Sequence, residues 1–190
     1  MRLVAARGTI RSGGCEHEVA QAIVALGSNM GDRLANMQEA VSILENHSQV
    51  SARSAVYETE PMYVSDQPPF YNAAVSIEVG LGPLGLLRLL KRIETMVGRK
   101  RRRRFGPREI DLDLITFGGL RYRFSDSTKT ILELPHPRMS ERRFVIQPVY
   151  DLGIMDVPGL EPLPILLCQT QDQAAAVRII ADAELSLHSH

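Results

Sequence analysis

The order of apolar patterns in this chain predicts an α+β fold whose elements run β-α-β-β-α-β. Three observations carry that expectation. Four short segments, 19–26, 50–57, 71–79 and 110–117, are apolar or alternating, as strands are. Two longer ones, opening at Asp32 and Pro83, repeat apolar residues at helical spacing. Clusters of glycine, proline, asparagine and aspartate separate them. The order is that of the split βαβ, ferredoxin-like arrangement: a four-stranded antiparallel sheet with both helices on one face. Such a fold implies no function by itself.

Segment 19–26 (VAQAIVAL) reads as a buried strand ended by Gly27-Ser28-Asn29. Asp32 suits the N-cap of the first helix, whose apolar stripe is Leu34, Met37, Ala40, Val41 and Leu44. Segment 50–57 (VSARSAVY) reads as one strand, and the three prolines of 60–69 (EPMYVSDQPP) make that stretch loop. Segment 71–79 (YNAAVSIEV) is the third strand. Pro83 starts the second helix, with Leu86, Leu87, Leu90, Ile93 and Val97 on its apolar face and Gly98 as its stop. Segment 110–117 (IDLDLITF) is the fourth strand. Residues 121–123 and 130–134 suit a peripheral hairpin, and 144–151 a short helix. After Pro158, Pro162 and Pro164, the pattern predicts a further short helix over 173–183.

A length of 190 residues favours one domain, placed at 20–165, with a flexible extension over 1–19 and a C-terminal extension over 166–190. Arg2, Arg7 and Arg11 precede any acidic residue. A disordered extension explains so short a segment better than an organellar presequence. The 22 basic and 22 acidic residues balance, which argues against a general nucleic-acid binder. No apolar run approaches the roughly 18 residues of a membrane span. Cys15 and Cys168 form neither a disulfide framework nor a metal-ligand spacing, which points to a reducing, cytoplasmic compartment.

Against that balance, six consecutive cations, Arg99 to Arg104, stand just before Asp111 and Asp113. Period two puts both aspartates on one strand face and Ile110, Leu112 and Leu114 on the other. Two carboxylates so placed repel unless a cation lies between them, and Mg²⁺ commonly takes one or two carboxylates plus substrate phosphates. Taken alone, the pair is explained better as the solvated face of a half-exposed strand. The arginine run is flanked by Gly98 and by Gly106-Pro107, so it reads as a hinged loop. Its guanidinium forks suit polyphosphate, whereas a solvated charge block is the plainer alternative. His136, between Pro135 and Pro137 and near Arg138, Arg142 and Arg143, is as well explained as a phosphate donor as a structural histidine. Asn72, after Phe70 and Tyr71, is either a turn cap or the amide that reads the edge of a flat heterocycle.

These residues fall into a set of motifs in fixed order: GSNMGDR at 27–33, YETEP at 57–61, QPPFYNAA at 67–74, GRKRRRRFGPREIDLDL at 98–114, LPHPRM at 134–139 and RRF at 142–144. Over about 21–160 the chain closely resembles the 6-hydroxymethyl-7,8-dihydropterin pyrophosphokinase family of folate synthesis. The resemblance implies transfer of pyrophosphate from ATP to the pterin hydroxymethyl group, with release of AMP. It implies two Mg²⁺ ions held by Asp111 and Asp113, and Arg99 and Arg108 acting on the transferred phosphates. It places Glu94, Arg101, Arg104, His136 and Arg142 at the nucleotide. It places Thr59, Glu60, Met62 and Asn72 at the pterin, walled by Phe70, Phe105 and Phe144, with mobile loops at about 28–33, 60–70 and 99–108. ATP and the pterin are then the partners, with no nucleic acid or membrane, and the enzyme is expected to be monomeric. The chain departs from the family in four respects, the first being that Arg102 and Arg103 make the arginine loop more basic than average. Phe105 stands where members often carry tryptophan, Glu60 where some carry proline, and Ile131 or Leu132 where some carry an arginine. The rival readings are a polyanion-binding module that uses the arginine run, and a metal-dependent enzyme acting on another alcohol or on water.

Overall fold

The computed structural model describes residues 8–10, 17–62, 66–100, 102, 106–180 and 185. The elements, in chain order, are β1 (Gly8–Ile10), β2 (His17–Ser28), α1 (Arg33–Glu45), β3 (Gln49–Arg53), β4 (Tyr57–Thr59), β5 (Phe70–Val79), α2 (Pro83–Met96), β6 (Asp111–Phe117), β7 (Tyr122–Ser125), β8 (Thr130–Leu134), α3 (Arg143–Asp151), α4 (Leu163–Gln169) and β9 (Val177–Ile179). β2 lies between β5 and β6, and β3 and β4 both pair with the far edge of β5; every pairing is antiparallel. β1 extends the sheet along the start of β2, and β7 and β8 form a separate hairpin. The α+β, ferredoxin-like arrangement read from the sequence is therefore the one observed.

α1 and α2 cover one face of the sheet. Met37, Ala40, Val41, Leu44, Leu86, Leu90 and Ile93 pack there against Val24, Leu26, Val75, Ile77, Leu112 and Leu114. Asp32 caps α1 by accepting from the Ala35 N–H at 3.0 Å. Gly98 ends α2 with φ +100°, a conformation that side chains other than glycine's strain to adopt, and its N–H bonds Thr95 O. The expected stripe on α2 omitted Leu89 and Glu94, both of which are buried.

The opposite sheet face is also covered. Val145, Ile146 and Val149 of α3 and Leu163 and Leu166 of α4 pack on Ile23, Ala74 and Ile115. By strand alternation Ile115 lies on the Asp111–Asp113 face and enters this second core, and the register shift between Ile23 and Val24 returns Phe117, opposite Ala22, to the first core beside Leu112 and Leu114.

Two expectations need correction. Segment 50–57 is two strands, because Ser54 interrupts it. Its N–H bonds Ala74 O at 2.9 Å and its hydroxyl accepts from Ala74 N at 2.8 Å, so the backbone of Ala74 pairs with one residue's main and side chain. Where a helix is expected over 173–183, the described residues form a 3₁₀ turn, Gln171–Ala176, followed by β9, and residues 181–183 lie outside the described residues. β9 adds to the open edge of β4, with Tyr57 opposite Ile179 and Thr59 opposite Val177. A free edge offers hydrogen bonds that an isolated helix end does not. α4 was not foreseen. Pro162 is its N-cap and Pro164 lies in its first turn, where a missing N–H costs nothing.

Candidate active site

The strand alternation of β6 turns Asp111 and Asp113 toward a cavity of about 300 Å³, while Leu112 and Leu114 go into the core. Gly27 of β2, Thr59 of β4, Phe70 and Asn72 of β5, and His136, Arg138, Arg142 and Phe144 also line it. One end is charged and the other carries amide, hydroxyl and aromatic groups.

At the charged end, Asp111 accepts from Arg99 on Oδ1 and from Arg108 on Oδ2 at 2.6 Å. Burial alone would disfavour its ionised form. Arg108, Lys91 and Arg99 outweigh that and hold the carboxyl below its usual range. Asp113 is more open, with Lys91 Nζ at 3.8 Å from its Oδ1. The His136 main-chain N–H bonds Ile115 O at 2.9 Å, tying the segment after β8 to β6. Its Nδ1 accepts from the Arg138 N–H at 3.3 Å, which leaves the ring proton of the neutral form on Nε2. Burial lowers the His136 pKa; Asp113 opposes this and Arg142 and Arg138 reinforce it. The imidazole is thus a neutral donor at pH 7.

At the other end, the Asn72 amide donates to Thr59 Oγ1 at 2.7 Å, with both residues buried. Gly27 lies directly across from Asn72 in the β2–β5 pairing. A Cβ at Gly27 would stand 3.2 Å from Asn72 Oδ1, so the glycine leaves room for the amide. The Arg108 guanidinium carbon lies 5.5 Å from the centre of the Phe70 ring, and that of Arg142 lies 5.7 Å from the Phe144 ring. Glu60 and Met62 line the cavity from its exposed rim.

Two placements differ from the sequence reading. Glu94, expected beside the nucleotide, is only 4% exposed and is not among the residues lining the cavity. Its Oε1 accepts from Lys91 Nζ at 2.6 Å and from the Leu112 N–H at 2.8 Å, and lies 2.7 Å from Arg99 Nη1. Arg99 reaches the site through Asp111 rather than by lining the cavity. Of the arginine run, Arg102 is taken up by Glu109 in a two-pronged pair at 2.6 and 2.8 Å, which draws the Glu109 carboxyl down to about 2. Arg101, Arg104 and Phe105 lie outside the described residues.

Sequence reasoning gave no role to Asn29, which is 1% exposed. Its Oδ1 accepts from the Arg108 N–H at 2.8 Å, and its own N–H donates to Arg108 O at 3.1 Å. Its Nδ2 donates to Gln67 Oε1 and Pro68 O. Asn29 therefore joins the loop before β5 to the loop before β6. Only its place in the GSN turn signalled it.

Among the described residues no three His, Cys, Asp or Glu side chains cluster to hold a metal unaided. Asp111 and Asp113 fit Mg²⁺ nonetheless, since that ion takes few protein carboxylates and completes its shell with water and phosphate oxygens.

A carboxylate pair among arginines, opening onto an amide and aromatic rings, is the layout of a site for a polyphosphate beside a flat polar ring. The family model for 7,8-dihydro-6-hydroxymethylpterin-pyrophosphokinase (HPPK) matches residues 23–153. The chain is 42% identical over 133 residues to the 2-amino-4-hydroxy-6-hydroxymethyldihydropteridine pyrophosphokinase of Bacillus subtilis, covering 69% of this chain and 77% of that one. It is 46% identical over 133 residues to the mitochondrial folate synthesis bifunctional protein of Pisum sativum, covering 70% of this chain and 25% of that one. The chain thus spans about a quarter of the length of that bifunctional relative. A solved structure of Plasmodium falciparum HPPK-DHPS with pteroate superposes with a TM-score of 0.66 at 14% identity, over 85% of this chain and 45% of that one, which is a likeness of fold. The chain belongs to the 7,8-dihydro-6-hydroxymethylpterin-pyrophosphokinase family.

Proposed function

We propose that this protein transfers the terminal diphosphate of ATP to 6-hydroxymethyl-7,8-dihydropterin, with Mg²⁺, in folate synthesis. The observation that carries the reading is Asp111 gripped by Arg99 and Arg108 at the mouth of a pocket that ends in the Asn72–Thr59 pair. The hydroxymethyl oxygen attacks the β-phosphorus. The bond from that phosphorus to the bridging oxygen of the α-phosphate breaks, AMP leaves, and the hydroxyl gives up its proton.

Arg99 and Arg108, held beside the pocket by Asp111, offer fork-shaped donors to the phosphates once they release that carboxylate. Asp111 and Asp113 would hold two Mg²⁺ ions, which when bound neutralise phosphate charge and acidify the alcohol. The His136 Nε2–H, with Arg142, Arg101 and Arg104, binds the nucleotide. Asn72 reads the pterin edge, and Phe70, Phe144 and Phe105 wall its faces. Thr59 holds the Asn72 amide, and Glu60 and Met62 close the pocket rim. The protein works as a cytoplasmic monomer without nucleic acid or membrane; no helix among the described residues is long and apolar enough to cross a membrane.

The test is incubation with ATP, Mg²⁺ and the hydroxymethyl pterin, followed by chromatography of the nucleotides. AMP that forms only with the pterin, and that is lost in Asp113→Ala, is the expected result. ADP in place of AMP, or wild-type turnover by that variant, would overturn the reading.

A further inference from the structure

The geometry points to Lys91 and Glu94 as positioning residues for the Asp111–Asp113 pair, acting through the backbone of Leu112. The inference rests on the reading of those two aspartates as the metal carboxylates.

β6 pairs with β2 alone among the described strands, so its other side is a sheet edge. In an antiparallel pair, alternate residues point both main-chain groups away from the neighbouring strand. Leu112, between the two aspartates and opposite Leu26, is such a residue. Its N–H donates to Glu94 Oε1 at 2.8 Å, and its carbonyl accepts from Lys91 Nζ at 2.8 Å. Lys91 and Glu94 also bond each other at 2.6 Å, one turn apart on α2. The pair therefore takes the place of a missing strand for one residue, and that residue is the one that spaces the two carboxylates.

The arrangement is built rather than incidental. Glu94 is 4% exposed and burial pushes its pKa up, against the pull of Lys91 and the Leu112 N–H. A carboxylate kept there needs its donors. Lys91 is the half-open member, so its ammonium can be removed without leaving a hole in the core. Partners one bond removed from metal ligands set ligand geometry, and losing them lowers metal affinity about 10- to 100-fold.

Lys91→Met and Lys91→Arg, made in the full chain, test the inference by two readouts. The first is hydrogen exchange of the Leu112 amide by NMR, with the Val75 amide as internal control. The second is Mn²⁺ affinity, read by electron paramagnetic resonance with a non-hydrolysable ATP analogue present. In Lys91→Met, Leu112 protection is expected to fall at least about tenfold with Val75 unchanged, and Mn²⁺ to bind about tenfold more weakly. Lys91→Arg, which keeps charge and donors, restores both. The sign of the metal effect is decisive, because deleting a cation 3.8 Å from Asp113 would by charge alone tighten Mn²⁺ binding. Unchanged or tighter binding in Lys91→Met would overturn the inference. Wild-type protein that binds no Mn²⁺ with the analogue would refute the metal site itself, while a loss of Leu112 protection would still support the clamp on the strand.

Discussion

Asn29→Ala is expected to damage both the stability and the chemistry of this protein. The side chain satisfies three groups: the Arg108 N–H at 2.8 Å, Pro68 O at 3.1 Å and Gln67 Oε1 at 3.2 Å. Pro68 is exposed and Gln67 half-exposed, so water replaces those two bonds at about 0.5 kcal/mol each. The Arg108 N–H is less accessible and loses about 1–2 kcal/mol when left unpaired. The sum is about 2–3 kcal/mol, or a fall in Tm of about 4–12 °C for a chain of this size. Asn29→Asp separates the two halves of the bridge. It keeps the acceptor for Arg108 but turns a carboxylate oxygen toward Pro68 O. A charge at a position 1% exposed, facing two acceptor oxygens, should cost at least as much stability as the alanine change, yet kcat should stay near normal while the KM for pterin rises. Asn29→Ala should lose kcat as well, because the Arg108 main chain keeps only one of its two bonds to residue 29, the one from the residue-29 N–H to Arg108 O. Thermal unfolding and AMP formation read the two effects. An alanine variant that melts within 1 °C of wild type, with its kcat intact, would refute the reasoning.

The remaining predictions concern the two ends of the cavity. Gly27→Ala drives a methyl group toward Asn72 Oδ1, 3.2 Å away, and strains the Asn72–Thr59 bond. It should raise the pterin KM about fivefold, the equivalent of about 1 kcal/mol, with the ATP KM unchanged; equal effects on both would count against the assignment of that end. His136 has its pKa lowered by burial, so the unfolded chain takes up a proton near the ordinary value of about 6.5 before the folded one does. Its contribution is present above that pH and is lost as pH falls through it toward the folded value. Urea midpoints at pH 7.5 and 5.5 should therefore differ more in wild type than in His136→Gln, and parallel losses would sink the claim.

Much of this molecule is legible in short windows of its sequence. The alternation of 110–117 separates Asp111 and Asp113 from Leu112 and Leu114 before any contact is known, and the structure keeps that separation. Asp32 and Gly98 mark a helix start and a helix end by their own local chemistry. Segment 50–57 misled because Ser54 breaks the alternation by a single residue, and its hydroxyl competes for the Ala74 backbone only once β5 lies beside it. Residues 177–179 misled because a strand of three residues has too few alternations to be told from a helix, and only the open edge of β4 selects it. Glu94 is placed at the nucleotide by the family resemblance alone, because a helical pattern does not show which group a carboxylate meets. Its use lies 18 residues on, at the Leu112 N–H.

The βαββαβ order, the two-faced strand that carries the aspartates and the motifs that mark the family are all present in the linear order of residues. Each of these follows from where successive Cβ atoms point, or from residues with one special backbone geometry, and both are properties of a few neighbours. The tertiary structure decided which cation meets which anion. Arg99 and Arg108 go to Asp111, Arg102 goes to Glu109, and Lys91 goes to Glu94 and Leu112. It alone brought Asn29 to Arg108, 79 residues away. Charges and amides are interchangeable at the level of pattern, and they acquire distinct partners only when packing removes the water that would otherwise serve them all equally.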